Sequence, residues 1–112
     1  EMNKKYIYIA GPYTKGDTVQ NVRAAILVGD EIANAGHYPF IPHLTMFWHI
    51  ICPHEYQFWL DQDIGYLLKC DYLVRIPGES SGADGEVQIA KDNGIPVFFS
   101  VDACLDWIAR NN

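Results

Sequence analysis

Three acidic residues, Glu79, Asp84 and Glu86, lie in a stretch rich in glycine and serine that runs PGESSGADGE over residues 77–86. Closely spaced glycines let backbone amides approach an anion, and a following helix directs its positive end at the same place. Glu86 is predicted to fall in the first turn of that helix, where the dipole favours an ionised carboxylate. Such a carboxylate beside a pocket suits a glycosyl-transfer nucleophile. The alternative is that Ser81, Asp84 and Glu86 only cap the helix and complement its dipole.

A carboxylate nucleophile needs a second carboxyl group that protonates or orients the leaving group. Asp61 and Asp63 are the candidates, in the helical segment WLDQDIGYLLKCD. They are two residues apart and therefore face different directions. Asp63 precedes Tyr66 and Leu67 by three and four residues, which places it beside the packed face. We therefore prefer Asp63 as the catalytic acid.

Tyr8 is the third candidate catalytic residue. In a strand the alternating residues Tyr6, Tyr8 and Ala10 share one face, and Tyr8 lies near the carboxyl end of the run KYIYIA. A hydroxyl at that place would hydrogen-bond Glu86. The alternative is a tyrosine that only packs in the core.

Alternating strands and helices are predicted to position these residues. Apolar, β-branched and aromatic runs predict strands over residues 5–10, 38–41, 71–76 and 95–100. Helical spacing predicts helices from Thr18 to a stop at Gly36, from 55 to 69, over 87–92 with a stop at Gly94, and from 101 to 109. The aromatic segment 43–55 has no clean period and is predicted to be irregular or partly helical.

The alternation predicts one α/β domain over residues 1–112, a flavodoxin-like or Rossmann-like three-layer sandwich with a mainly parallel sheet. In such sheets ligands bind beyond the carboxyl ends of the strands, where the strand order switches. The loops over residues 10–18 and 77–85 follow the first and third predicted strands. We therefore expect the ligand site between these two loops.

Charge and composition limit the partners. The chain of 112 residues has 8 Lys and Arg against 14 Asp and Glu, and its formal net charge is -6. This balance argues against a nucleic-acid polymer but is compatible with a small anion bound at a helix N-terminus. The three cysteines have no CxxC spacing, which favours reduced thiols in a cytoplasmic protein. No run approaches the roughly 20 apolar residues of a membrane span, and no signal peptide is recognised.

The aromatic segment 43–55 contains three histidines and Cys52. No pair among them and Cys52 has the spacing of a zinc site, so we predict no metal and no cofactor. His43, Phe47, Trp48 and His49 are predicted to wall the pocket, where an aromatic ring would stack on a base. Core packing is the alternative for Phe47 and Trp48. Asn21 and Arg23 open the first helix and would meet a sugar or phosphate unless they form a solvated helix face.

Three motifs in order resemble the nucleoside 2-deoxyribosyltransferase superfamily, which includes the deoxyribosyltransferases and the nucleoside 5'-monophosphate N-glycoside hydrolases. They are YIAGP at 8–12, QDIGYLLKCDYLV at 62–74 and GADGEVQIAKDNGIPV at 82–97. Together they touch nearly the whole chain. The order of the motifs is more specific than any one of them.

The resemblance implies a role for each candidate residue. Glu86 would attack the anomeric carbon of the sugar, and Asp63 would exchange a proton with the departing base. Tyr8 would hold Glu86 in place, and Gly11 would let the first loop approach the ligand. The resemblance also implies a homodimer or higher homo-oligomer, because the sites of this superfamily form near a subunit interface.

Ser80 corresponds, by this resemblance, to the position that separates the two branches. The transferases use an aspartate there to bind the free 5'-hydroxyl group, and the hydrolases use a serine that contacts the phosphate. A carboxylate would repel a phosphate, so Ser80 favours monophosphates. The sequence departs from the hydrolases at Pro12, where they have serine, and at Glu79, which adds a negative charge beside Ser80.

We therefore predict an enzyme that hydrolyses the N-glycosidic bond of (deoxy)nucleoside 5'-monophosphates and releases the free base. The first alternative is base exchange on free deoxynucleosides, and the second is a nucleotide sensor without catalysis. The predicted catalytic residues are Glu86, Asp63 and Tyr8. The predicted substrate-binding residues are Gly11, Pro12, Asn21, Arg23, His43, Trp48, Ser80, Ser81 and Gly82.

Overall fold

The computed structural model describes residues 3–111. Within this range, strands and helices alternate from β1 to α5, and a short 3-10 helix precedes α2. The elements are β1 (Tyr6–Ala10), α1 (Thr18–Asn34), β2 (Tyr38–Phe40), the 3-10 helix (Pro42–Thr45), α2 (Met46–Ile51), α3 (Tyr56–Leu67), β3 (Tyr72–Arg75), α4 (Ser81–Asp92), β4 (Val97–Phe98) and α5 (Val101–Asn111).

The four strands form one parallel sheet in the order β2-β1-β3-β4. In the register of this sheet, Tyr8 of β1 lies opposite Phe40 of β2 and Leu73 of β3. The chain leaves β1 towards β2 on one side and returns to β3 on the other, so the strand order switches between β1 and β3. The helices that follow these two strands, α1 and α4, pack on opposite faces of the sheet, and in such sheets a crevice opens at the carboxyl ends of the strands.

Side chains of β1 alternate between two apolar layers. Ile7 and Ile9 pack on one face with residues of α1 and α5, among them Ile32 and Ile108. Tyr8 and Ala10 pack on the other face with residues of α3 and α4. A strand buried on both faces needs helices on both sides, because neither face can be left in water. The predicted three-layer α/β sandwich is confirmed.

Several element boundaries differ from the sequence predictions. The last strand is limited to Val97–Phe98, because Pro96 has no backbone N–H group and Ser100 already caps α5 by accepting from the amide of Ala103. The segment over 43–55 is partly helical, as predicted. Helix α4 begins at Ser81, so the loop before it is shorter than the predicted 77–85.

The structure shows the exposure of the three cysteines and the length and polarity of the helices. Cys52 is exposed, Cys70 is half-buried and Cys104 is buried, and all three are free thiols. Across residues 3–111, every helix is too short or too polar to cross a lipid bilayer.

Leu67 anchors α3 to the sheet, and its truncation should destabilise the fold. The side chain is fully buried in the layer that contains Tyr8 and Leu73. We expect Leu67→Ala to lower the free energy of unfolding by about 2–5 kcal/mol in urea denaturation, because it removes apolar contacts and leaves a cavity. The adjacent Leu68 is 47% exposed, so Leu68→Ala should cost less than about 1 kcal/mol. Equal losses in the two variants would contradict this packing.

Candidate active site

A cavity of about 770 Å³ lies at the carboxyl ends of β1 and β3, where the strand order switches. Its walls come from the loop after β1, the 3-10 helix, the facing sides of α2 and α3, and the loop and first turns that begin α4. The volume is in the range of small-molecule sites. The two loops predicted to form the ligand site both contribute to it.

Glu86 lines this cavity, and the buried Tyr8, which is not part of the lining, contacts Glu86 from β1. The Tyr8 hydroxyl donates a hydrogen bond to Oε2 of Glu86, across 78 positions of sequence. Tyr8 is fully buried, and burial together with the negative charge of Glu86 raises the pKa of its phenol far above the ordinary value. The phenol therefore keeps its proton and acts only as a donor to the carboxylate. This contact is the one expected from the sequence.

Glu86 is not held in the ionised form that the sequence suggested. It is the sixth residue of α4 and lies in the second turn, beyond the region where the helix dipole acts strongly. Burial, with a smaller contribution from the negative charge of Asp63, raises its pKa to about 7. The hydrogen bond from Tyr8 and the positive charge of Arg75 lower it. The prediction of dipole-driven ionisation is corrected, because desolvation outweighs the helix terminus.

Asp63 lines the same cavity from α3, and burial raises its pKa to about 6. Asp61 instead points to solvent, where its Oδ1 accepts from the Gln57 side chain at 2.8 Å. The structure therefore brings the preferred aspartate, and not its neighbour, to Glu86. Asp63 ends a helical face of residues at i, i+3, i+4 and i+7 that all line the cavity: Tyr56, Trp59, Leu60 and Asp63.

The N-terminus of α4 offers free donors to the cavity. Ser80 is the N-cap residue, and its Oγ accepts from the Ala83 amide at 3.1 Å, so the predicted caps Ser81 and Asp84 are corrected. The Ser80 hydroxyl can still donate its own proton. No described backbone carbonyl accepts from the amides of Ser81 and Gly82. These three predicted residues line the cavity and together form a corner of free donors, an arrangement typical of sites that bind anions.

Arg75 holds this corner in place and was not predicted from the sequence. Its buried guanidinium donates to the carbonyls of Ile76 and Gly78 and to Oδ1 of Asp84, the last two at 2.9 and 2.8 Å. It thereby ties the loop after β3 to the first turn of α4. A basic residue at the end of an otherwise apolar strand, in DYLVRI, was the sequence signal.

The loop after β1 is shaped by three predicted residues. His43 lines the cavity, and its Nε2 donates to the carbonyl of Pro12 at 3.0 Å. Asn21 donates to the carbonyls of Tyr13 and Lys15 at 3.0 and 2.8 Å. Pro12 and Asn21 are not part of the cavity lining, so they position the loop and do not face the ligand.

Gly11 is the predicted residue of this loop that does line the cavity. A Cβ atom on Gly11 would lie only 3.0 Å from Cβ of Ile76. The loops after β1 and β3 therefore approach closely at this glycine, and a side chain there would push them apart.

The structure does not bring Arg23 or Trp48 into the cavity. Arg23 is exposed on α1. Trp48 is 46% exposed, and its ring packs edge-on against Phe58 and Trp59, with ring centroids 6.0 and 4.9 Å apart. The aromatic wall instead contains Trp59, which the sequence signalled only through its spacing of four residues from Asp63.

Other cavity residues were missed, namely Lys15, His54 and Tyr56. His49, which was predicted to wall the pocket, lies in the lining, whereas Phe47 is exposed and lies outside it. Lys15 forms an exposed ion pair with Glu79 at 3.2 Å, and this pair joins the two loops at the cavity rim. No group of three or more His, Cys, Asp or Glu side chains between residues 3 and 111 is arranged to hold a metal ion.

The fold is similar to a solved structure of the 2-deoxyribosyltransferase from the psychrotolerant bacterium Bacillus psychrosaccharolyticus. The two chains share 22% sequence identity with a TM-score of 0.61, over 82% of this chain and 69% of that one. This likeness defines the class of fold. Residues 5–100 match the family described as a domain of unknown function, DUF7768, and the chain belongs to that family. No curated protein matches the sequence.

Removing the Tyr8 hydroxyl should raise the pKa of Glu86 above its value of about 7, because the hydrogen bond from Tyr8 stabilises the carboxylate. Tyr8→Phe keeps the ring and its packing. We expect a 13C NMR titration of the glutamate carboxyl carbons to show the shift. Tyr6→Phe, on the same strand but exposed, should leave Glu86 unchanged. A Glu86 pKa that is unaltered or lower in Tyr8→Phe would disprove the assigned contact.

Proposed function

We propose that the protein cleaves the N-glycosidic bond of a nucleoside 5'-monophosphate, with Glu86 as nucleophile and Asp63 as the acid. The observation that carries this proposal is the pair of half-buried carboxyl groups in one cavity, one of them held by the Tyr8 phenol. The pKa values of Glu86 and Asp63 are raised to about 7 and about 6, so near neutral pH the two carboxyl groups share one proton. The reactive form is the one in which this proton is on Asp63 and Glu86 is ionised.

In the first step, the Glu86 carboxylate forms a bond to the anomeric carbon of the sugar. The bond from that carbon to the base nitrogen breaks, and its electron pair stays with the base. Asp63 donates a proton to the departing base and becomes ionised. Because Tyr8 bonds to Oε2, Oε1 is the nucleophilic oxygen. The product is a glycosyl ester of Glu86 and a free base.

In the second step, water replaces the base. The Asp63 carboxylate removes a proton from a water molecule as its oxygen attacks the anomeric carbon. The ester bond breaks, its electron pair returns to Glu86, and the sugar phosphate leaves. Asp63 is again protonated and Glu86 again ionised, so the net reaction consumes one water molecule and releases one base and one sugar phosphate.

The preference for a monophosphate is supported by the donors around the start of α4. The Ser80 hydroxyl and the amides of Ser81 and Gly82 lie at the positive end of a 12-residue helix. Lys15 is at the rim and pairs with the exposed Glu79. An arriving phosphate would compete with Glu79 for this ammonium group. These local donors offset the unfavourable net charge of the chain.

Base exchange on deoxynucleosides is the second candidate. It is supported by the similarity of the fold to a 2-deoxyribosyltransferase. The first step would be the same, and a second base would replace water as the acceptor of the sugar. The chemistry of Glu86 and Asp63 is therefore common to both candidates. They differ in the 5' group that is bound and in what attacks the glycosyl ester.

The proposal is tested by chromatography of free bases after incubation with a panel of nucleosides and nucleoside 5'-monophosphates. We expect Glu86→Gln to lower the rate of base release by a factor on the order of 10³ or more, because the amide is a poor nucleophile. Glu31→Gln makes the same change on the exposed face of α1 and should retain the parent rate. Base release by Glu86→Gln at the parent rate would remove Glu86 from the mechanism.

The same panel separates the two candidates. Release of base from monophosphates but not from nucleosides supports the hydrolase. Formation of a new nucleoside when a second base is added to a deoxynucleoside supports the transferase.

The rate should depend on pH as a bell with its maximum between about 6 and about 7. The first step requires one proton shared by the two carboxyl groups. Below the lower pKa both carboxyls are protonated and the nucleophile is lost; above the upper pKa both are ionised and the acid is lost. Measurement of kcat/KM from pH 4 to pH 9 checks this. In Asp63→Asn the basic limb should disappear, whereas Asp61→Asn should preserve the bell. A rate that rises steadily with pH would contradict the pair.

A further inference from the structure

His49 and Trp59 form a connected pair in the cavity wall. Trp59 donates from Nε1 to Nδ1 of His49 at 2.8 Å, and the backbone amide of His54 donates to the same nitrogen at 3.3 Å. The side chains of all three residues belong to the cavity lining. None of these contacts involves Glu86 or Asp63.

The two donors determine which nitrogen of a neutral His49 ring carries the proton. An indole N–H group and a backbone N–H group can only donate, so Nδ1 of His49 must offer a lone pair to them. The ring proton is therefore on Nε2. No described residue accepts from Nε2 of His49. The cavity wall thus carries an N–H donor, Nε2–H of His49, that has no acceptor among the described residues. The two hydrogen bonds to Nδ1 fix the orientation of the ring.

The wall around this donor is rigid. Trp59 is packed edge-on by Trp48 and by Phe58, each with ring centroids 4.9 Å away. His54 stacks on Phe58 with centroids 3.7 Å apart and ring planes 11° apart. Packed rings lose little conformational freedom when a ligand binds, so the donor is preorganised.

The geometry of α3 fixes the position of this wall relative to Asp63. Trp59 and Asp63 are four residues apart on α3 and line the cavity from the same face. A leaving base must lie within hydrogen-bond reach of Asp63 if that residue protonates it. A base in this position is one helical turn from Trp59, and therefore beside the ring of His49.

We propose that His49 is the residue that selects the base. Its Nε2–H group donates to a ring nitrogen or a carbonyl oxygen on the edge of the base, while the aromatic wall contacts the base surface. The ligand class is a nucleotide whose base carries an acceptor on that edge. This inference rests on the proposed function, because Asp63 places the base.

His49→Asn separates recognition from structure. The Oδ1 atom of asparagine takes the place of Nδ1 and keeps an acceptor for Trp59 and the His54 amide, but the Nε2–H donor is lost. His37→Asn is the matched control. Nδ1 of His37 also accepts a backbone amide, that of Lys5 at 3.1 Å, and this histidine is outside the cavity lining.

Binding is measured in the Glu86→Gln background, so that no ligand is consumed. The probes are the four natural 2'-deoxynucleoside 5'-monophosphates and the 5'-monophosphate of indole 2'-deoxyriboside, whose base has an aromatic face but no edge acceptor. We expect His49→Asn to weaken the tightest natural nucleotide about three- to tenfold, the effect of one neutral hydrogen bond. The indole nucleotide should bind within twofold of the parent, and His37→Asn should change neither affinity.

Any other result of these binding measurements overturns the assignment. If His49→Asn weakens the natural and the indole nucleotides equally, His49 supports the wall and does not select the base. If it weakens neither, or if none of the four natural nucleotides binds, there is no base contact at His49. Base release by the parent protein without an effect of His49→Asn would refute this inference alone. An effect on binding without any base release would refute the proposed reaction and leave the base contact intact.

Discussion

The burial of Tyr8 against Glu86 is the constraint on which the site depends. A phenol that is fully buried in the central strand of the sheet needs an acceptor, since an unpaired buried hydroxyl is costly. Glu86 supplies it from α4, and so one hydrogen bond joins the sheet to the helix and aims a carboxyl group into the cavity. The same burial raises the pKa of Glu86 towards neutrality. The contact between Tyr8 and Glu86 therefore affects both how α4 is joined to the sheet and the pKa of Glu86.

Two ion pairs of the site, Arg75–Asp84 and Lys15–Glu79, have different roles. Arg75 is buried and ties the loop after β3 to Asp84, which leaves the amides at the start of α4 free to face the cavity. The exposed pair of Lys15 and Glu79 joins the two loops at the rim. A buried cation that is bonded to carbonyls and a carboxylate holds geometry, whereas an exposed pair exchanges partners readily. A chain with a net charge of -6 thus has a local group of free donors at the start of α4.

Helix α3 couples the remaining parts of the site. One of its faces carries Trp59 and Asp63, so the aromatic wall and the acid are fixed relative to each other by helical geometry. Leu67, one turn beyond Asp63, is fully buried and locks that face against the sheet. Asp63 and the aromatic wall therefore face the same cavity in a fixed relative position.

The sequence by itself determined the parallel α/β fold, the two loops at the crevice, and the set of Tyr8, Asp63 and Glu86, because periodicity and residue type are local properties. The tertiary structure decided what depends on distant neighbours. It replaced Trp48 with Trp59 in the wall, since the turn between α2 and α3 directs Trp48 against other rings. It also placed Arg75 where it holds the loop after β3. It raised the pKa of Glu86, whereas the sequence suggested a carboxylate kept ionised by the helix dipole. Desolvation comes from residues far away in the chain, and no local pattern encodes it.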